Sequence, residues 1–184
     1  MRIITGIARG TKLDTVAGDA VRPTTEMAKE GIFSAIQFDL DGRRVLDLFA
    51  GSGQLGLEAI SRGAESAVFV DESQASVDVV KKNAQRTKLF DKCRIVRMDF
   101  TDFLKKTNDT FHFIFVDPPY DKKLIPEVIK KVMKYGVLAE DGLIVCEGTD
   151  SEIDIEDLCS EYSIEIKKKY KYGKTYIHAV GRIK

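Results

Sequence analysis

The chain has 184 residues, 43% of them hydrophobic, three cysteines and a formal net charge of zero. That is enough apolar material for one domain with its own core. No run approaches the roughly 20 apolar residues of a membrane span, Met1-Arg2-Ile3-Ile4-Thr5-Gly6 lacks the apolar region of a signal peptide, and Cys93, Cys146 and Cys159 show no Cys-x-x-Cys spacing, which argues against a disulfide framework or a zinc site.

In chain order, Arg2–Ile7 and Thr11–Val16 flank Ala8-Arg9-Gly10, a hairpin signal. Arg22-Pro23-Thr24-Thr25 is helix-start chemistry, and Ala28, Ile32, Ala35 and Ile36 make an apolar stripe, so a helix is expected over 24–37. Apolar runs then alternate with helical patterns. Strands are expected at Arg44–Phe49, Ala67–Val70, Cys93–Arg97, Phe113–Val116 and Leu143–Cys146. Helices are expected at Gln54–Ser61, Ser76–Ala84 and Ile125–Met133. This alternation implies parallel strands with right-handed crossovers, a doubly wound α/β sheet. Tyr162–Tyr170 and Lys174–Val180 flank Lys171-Tyr172-Gly173, so an antiparallel pair ends the sheet.

The zero net charge is segregated. Lys81–Arg97 has seven basic residues and one acid, and Ile166 to the end has seven and none. Glu147–Glu165 has eight acids and no Lys or Arg. Such a chain can present a basic face to nucleic acid, although lysines also simply solvate helices and sheet edges.

Gly51-Ser52-Gly53-Gln54-Leu55-Gly56 follows a strand and opens a helix, as a nucleotide-binding turn does. Asp71, at the end of the next strand, is placed to accept from ribose hydroxyls, with Glu72 beside it. A dinucleotide and S-adenosylmethionine both fit this pattern. Asp47 separates them, because a carboxylate before the turn suits an ammonium and not a pyrophosphate. Asp99 is then placed to meet the adenine amino group and Phe100 to pack on its ring. The competing reading of Asp47 and Asp99 is capping of local backbone donors at strand ends.

Asp117-Pro118-Pro119-Tyr120 follows the fourth strand. The Asp117 carboxylate and the Pro118 carbonyl can accept the two N–H bonds of an exocyclic base amine, which directs its lone pair and stabilises the charge that grows on methyl transfer. Consecutive prolines stiffen the loop, and Tyr120 offers a stacking face for an extruded base. No metal is required, because a thioether leaving group is neutral. The same four residues also suit an ordinary turn. No cysteine sits in this loop, so carbon methylation through a thiolate is set aside; Cys146 reads as core, and His112 and His178 read as structural.

Four stretches together resemble the RsmD family of ribosomal RNA methyltransferases: Arg2-Ile3-Ile4-Thr5-Gly6 with Arg9-Gly10, Arg22-Pro23-Thr24-Thr25, Val45–Glu58, and Val116–Tyr120. Tyr172-Gly173-Lys174-Thr175 is similar to that family's closing hairpin. The resemblance covers the chain end to end. It implies a Rossmann-like class I fold with a seven-stranded, mostly parallel sheet, a terminal antiparallel hairpin and a small N-terminal hairpin. It implies a single domain over 1–184, with 1–22 as an RNA-contacting hairpin extension and 23–184 as catalytic core. It implies methyl transfer from S-adenosylmethionine to the guanine N2 amine in 16S ribosomal RNA, within a partly or fully assembled small subunit, by a cytoplasmic monomer. Asp117, Pro118, Pro119 and Tyr120 match the catalytic loop. Asp47, Phe49, Ala50, Gly51, Ser52, Gly53, Gly56, Asp71, Glu72, Asp99 and Phe100 become the cofactor set, and Arg2, Arg9, Lys12 and Arg22 the RNA contacts. Adenine-N6 methylation of RNA or DNA uses the same loop chemistry and stays open. A non-catalytic cofactor-binding protein has no need of Asp117, and a dinucleotide oxidoreductase fits Asp47 poorly.

Overall fold

Among the described residues, seven strands carry the fold: β1 (Arg44–Asp47), β2 (Ser66–Asp71), β3 (Cys93–Arg97), β4 (Phe111–Val116), β5 (Leu138–Gly148), β6 (Ile164–Tyr172) and β7 (Thr175–Arg182). Six α-helices accompany them among the described residues: α1 (Glu26–Ile36), α2 (Gln54–Ser61), α3 (Gln74–Arg86), α4 (Phe100–Lys106), α5 (Leu124–Lys134) and α6 (Glu156–Tyr162). The computed structural model describes residues 1–16, 26–36, 39–119, 124–149 and 153–184. The sheet order is β3-β2-β1-β4-β5-β7-β6. β1 to β5 pair in parallel, and β7 runs antiparallel between β5 and β6.

The apolar runs are continuous because both faces of the sheet are covered. Val45, Phe69, Phe113 and Phe115 join the core beneath α1, α2 and α3, whereas Leu46, Val68, Val70, Ile114 and Val116 join the core beneath α4, α5 and α6. This is the period-two alternation of strands. Every residue of α2 is buried. The sheet packs on one side of it, and Ile3, Ala8 and Leu13 of the N-terminal segment belong to the same core.

The N-terminal segment is less regular than a hairpin of two strands. One bridge pairs Arg2 with Lys12, and residues 5–10 form turns. Its two arms still bond to each other, Ile3 N–H to Thr11 O at 3.0 Å and Leu13 N–H to Met1 O at 3.1 Å, and the turn between them binds α2: the Ile7 N–H donates to Ser61 O at 2.9 Å and the Ala8 N–H to Ser61 Oγ at 3.0 Å. Gly6 has φ +87°, and a Cβ there would lie 1.7 Å from Ser61 O. Only glycine tolerates both conditions.

The expected terminal hairpin is present, with Gly173 at φ +62° in its turn, but Tyr162 closes α6 and the first arm runs from Ile164 through Lys171 and Tyr172. Tyr172 packs on α1, where a Cβ at Gly31 would stand 1.9 Å from its hydroxyl. The expected α1 holds over Glu26–Ile36, with Ala28, Ile32 and Ile36 buried; Thr24, Thr25 and Gln37 fall outside the described residues, as does the side chain at 35. α4 and α6 were not legible as helices, and β5 extends five residues earlier than its apolar centre, from Leu138. Among the described residues, no helix is long and apolar enough to cross a membrane.

Candidate active site

The strand order reverses between β1 and β4, and both strands end on the same edge of the sheet. Open α/β sheets bind ligands at this point. The chain leaving β1 is fixed to both neighbours there: the Leu48 N–H donates to Phe115 O of β4 at 3.2 Å, and the Ala50 N–H to Val70 O of β2 at 3.1 Å. The glycine turn therefore begins from a rigid base. Gly51 has φ +51° and Gly53 has φ +77°, and Gly53 caps α2. A Cβ at Gly56 would stand 2.3 Å from the Phe69 ring, so this glycine lets α2 approach β2 closely. At Gly51 the nearest atom to such a Cβ is Phe49 O at 4.0 Å, which leaves the backbone approachable there.

Asp47 ends β1 and is 3% exposed. Its Oδ2 accepts from the Gly56 N–H at 3.1 Å. Burial pushes its carboxyl up to about 7; the Gly56 bond opposes this, and the nearby Asp71 charge adds to it. Asp71 ends β2. Its Oδ2 accepts from the Gly51 N–H and its Oδ1 from the Ser73 N–H, both at 2.9 Å. Asp71 thus braces the glycine turn from the next strand. Glu72 beside it is exposed. The Arg97 Nε donates to Glu72 O at 3.1 Å, which holds that backbone against the end of β3.

Asp99 is the N-cap of α4, with Oδ1 accepting from the Thr101 N–H at 2.8 Å and the Asp102 N–H at 3.3 Å. The capping reading of this residue therefore applies to one of its oxygens. Phe100 and Phe49 meet with ring centroids 5.3 Å apart, which brings the ends of β1 and β3 together across β2. Asp47, the glycine turn, Asp71, Glu72, Asp99 and Phe100 thus lie along one edge. Asp117 and Pro118 follow β4 beside them and are half-buried, and Pro119 is exposed. Tyr120 and Arg22 lie outside the described residues.

Arg2, Arg9 and Lys12 are exposed on the N-terminal segment. Arg2 pairs with Glu26 at 3.2 Å. Burial raises the Cys93 thiol to about 12 and moves Cys146 further up, which disfavours the reactive thiolate at both. His112 accepts from the Arg44 N–H through Nδ1 at 3.3 Å, and His178 is buried edge-on to Tyr176. Among the described residues no cluster suits a metal ion.

A buried polar cluster behind the site escaped sequence reasoning. Glu58 is fully buried in α2. It accepts from the Ile4 N–H at 2.8 Å, the Thr5 N–H at 3.0 Å and Arg62 Nε at 2.8 Å, and Lys29 Nζ lies 3.5 Å away. Lys29 also donates to Arg2 O at 2.6 Å. Burial lowers the Lys29 pKa and Glu58 opposes this. The i, i+4 spacing of Glu58 and Arg62 was the one local signal available for this cluster.

The model of the family described as conserved hypothetical protein 95 matches residues 1–181. Bacillus subtilis (strain 168) YlbH, which carries a provisional name as an rRNA methyltransferase, is 39% identical over 95% of this chain and 95% of its own length. Ribosomal RNA small subunit methyltransferase D of Escherichia coli (strain K12) is 35% identical over 80% of this chain and 74% of its own. The solved structure of Escherichia coli yhhF is 30% identical, with a TM-score of 0.85, covering 99% of this chain and 97% of that one. The chain belongs to the conserved hypothetical protein 95 family, which is the RsmD family that its motifs resemble.

Proposed function

We propose that this chain transfers a methyl group from S-adenosylmethionine to a base amine of small-subunit ribosomal RNA, the N2 amine of a guanine, in the bacterial cytoplasm. One observation carries the reading. The buried Asp47 carboxylate with its glycine turn stands at the strand-order reversal, and the neighbouring strand leads straight into Asp117-Pro118-Pro119. The name of the Escherichia coli relative supports ribosomal RNA as substrate.

The residues suit the cofactor. An anion would meet the Asp47 carboxylate, whereas the ammonium of a methionine moiety gains from it and would hold it ionised. The left-handed Gly51 lets the backbone come close to the ligand. Glu72 or Asp71 takes the ribose hydroxyls. Asp71 already accepts two backbone N–H bonds, which leaves exposed Glu72 the freer of the two. Asp99 and Phe100 meet the adenine, and Phe49 supports the Phe100 ring. When bound, the cofactor supplies a methyl on a positively charged sulfur.

Asp117 and the Pro118 carbonyl accept the two amine N–H bonds. They direct the nitrogen lone pair, and the carboxylate stabilises the positive charge that develops on nitrogen. Tyr120 stacks on the extruded base. Arg2, Arg9, Lys12 and Arg22 contact phosphates.

The test uses small subunits from cells lacking this protein, incubated with purified protein and radiolabelled cofactor. Label in N2-methylguanosine from the small-subunit RNA is expected. Label in N6-methyladenosine keeps the loop chemistry and changes the base. Cofactor binding with no label on any RNA overturns the proposal.

A further inference from the structure

The register of the terminal hairpin sorts its lysines. A bulge lies between Ile166 and Lys168, after which Lys169 pairs with His178 and Lys171 with Tyr176. Cross-strand partners share a face, and a one-residue shift moves a whole side-chain set to the other face. The bulge therefore sends Tyr170 and Tyr172 toward the α1 core and leaves Lys169 and Lys171 on the opposite face with Tyr176. The two ammonium groups lie 5.4 and 5.1 Å from the centre of the Tyr176 ring. Lys174 follows in the turn, and all three lysines are exposed. They line a groove of about 1020 Å³ floored by Ile153, Ile155 and Cys159. Asp154 and Glu156 line the same groove.

The row is level with the catalytic loop. Val116, the last residue of β4, pairs with Cys146 of β5, and Cys146 pairs with His178 of β7. Tyr176 pairs with Gly148, where β5 ends. Lys171 is thus three strands from the start of the Asp117 loop, or about 14 Å at roughly 4.8 Å per strand. A single RNA strand leaving the loop spans that distance in a few nucleotides.

We propose that Lys169 and Lys171, placed over the Tyr176 ring, and Lys174 in the adjoining turn form a contact surface for the RNA phosphates that flank the target nucleotide. This rests on the RNA reading above and adds a surface to it. Lysines on an edge strand also deter edge-to-edge pairing, but that role does not need them gathered on one face, around an aromatic ring, beside the strand ends. The acids at Asp154 and Glu156 repel phosphate, so the backbone follows the hairpin and does not cross the groove.

The test compares wild type with a Lys169→Gln/Lys171→Gln/Lys174→Gln variant in filter binding to small-subunit ribosomal RNA over a salt series. A Lys105→Gln/Lys106→Gln/Lys134→Gln variant, changed in the last turns of α4 and α5 on the opposite edge of the sheet, controls for total charge. At about 0.7 per phosphate contact on single strands, the hairpin variant should lose about 2 from the slope of log affinity against log salt. The control should lose much less, and cofactor affinity and Tm should not change. An unchanged slope, or an equal loss in both variants, overturns the inference. Methyl transfer by wild type, measured in parallel, reports the functional reading separately. Transfer with an unchanged slope removes the lysine row alone, and absence of both transfer and RNA binding by wild type removes both.

Discussion

The Asn83 side-chain amide donates to the backbone carbonyl of Ser52 at 2.8 Å, in the middle of the glycine turn. The same nitrogen donates to Asp14 O at 3.0 Å, and its Oδ1 accepts from the Asp14 N–H at 2.8 Å. One buried side chain in α3 thus ties the turn to the end of the N-terminal segment. Arg86, one turn later, forms a two-pronged pair with the Asp14 carboxylate at 2.6 and 3.0 Å. That pair is exposed and adds little stability by itself.

Asn83→Ala leaves three backbone groups without their partner, so it should cost about 2 kcal/mol in urea unfolding. It should also weaken cofactor binding, because Ser52 loses its brace, while Arg86→Ala should do neither. Equal cofactor affinity in Asn83→Ala and wild type would show that the turn holds its shape alone.

Glu58 offers a second structural test. Glu58→Gln removes the negative charge between Lys29 and Arg62 and keeps the volume. Breaking a buried pair from one side costs about 3 kcal/mol, read as a shift in the urea midpoint. Faster hydrogen exchange at the Ile4 and Thr5 amides should accompany it, since both donate to this carboxylate. Slow exchange at those amides in the variant would mean that the segment is held mainly by its apolar contacts.

Asp47 gives a pH dependence whose sign reverses with the cofactor. Its carboxyl stands at about 7, against 3.8 ordinarily. In the free protein the folded state holds this proton more tightly than the unfolded chain. Its contribution to stability is therefore present below about pH 4 and is lost as pH rises through about 7. Cofactor binding needs the ionised form. The Kd should fall up to tenfold per pH unit toward pH 7, then level until the ligand ammonium titrates near pH 8. Asp47→Asn should bind weakly with a flat profile from pH 5 to about 7. A sloping profile in that variant would assign the titration to another group.

Several elements were legible because their signals are local. The runs at Cys93–Arg97 and Gln54–Ser61 match β3 and α2 in full, since each is bounded by charge or glycine. α4 was hidden because its seven residues bury only Phe103 and Leu104, too few to display a helical period. Asp99 was read for its position after a strand, and its capping bonds to Thr101 and Asp102 belong to a helix that the pattern did not show. Glu140-Asp141-Gly142 interrupts the apolar run of β5, yet the strand continues through it, and Asp141 pairs with Arg43 at 2.8 Å. The Glu58 and Asn83 networks join residues far apart in the chain, and no periodicity encodes such partners. The strand-end acids were visible because the fold itself dictates where they stand.

The most direct measurement sets wild type beside Asp117→Ala on small subunits lacking the modification. Cofactor affinity is measured by equilibrium binding, and the labelled nucleoside is identified after digestion. The account predicts N2-methylguanosine with wild type, unchanged cofactor affinity in the variant, and a loss of transfer of at least a hundredfold, in the range for removing one transition-state hydrogen-bonding group. Transfer by Asp117→Ala at the wild-type rate would contradict it.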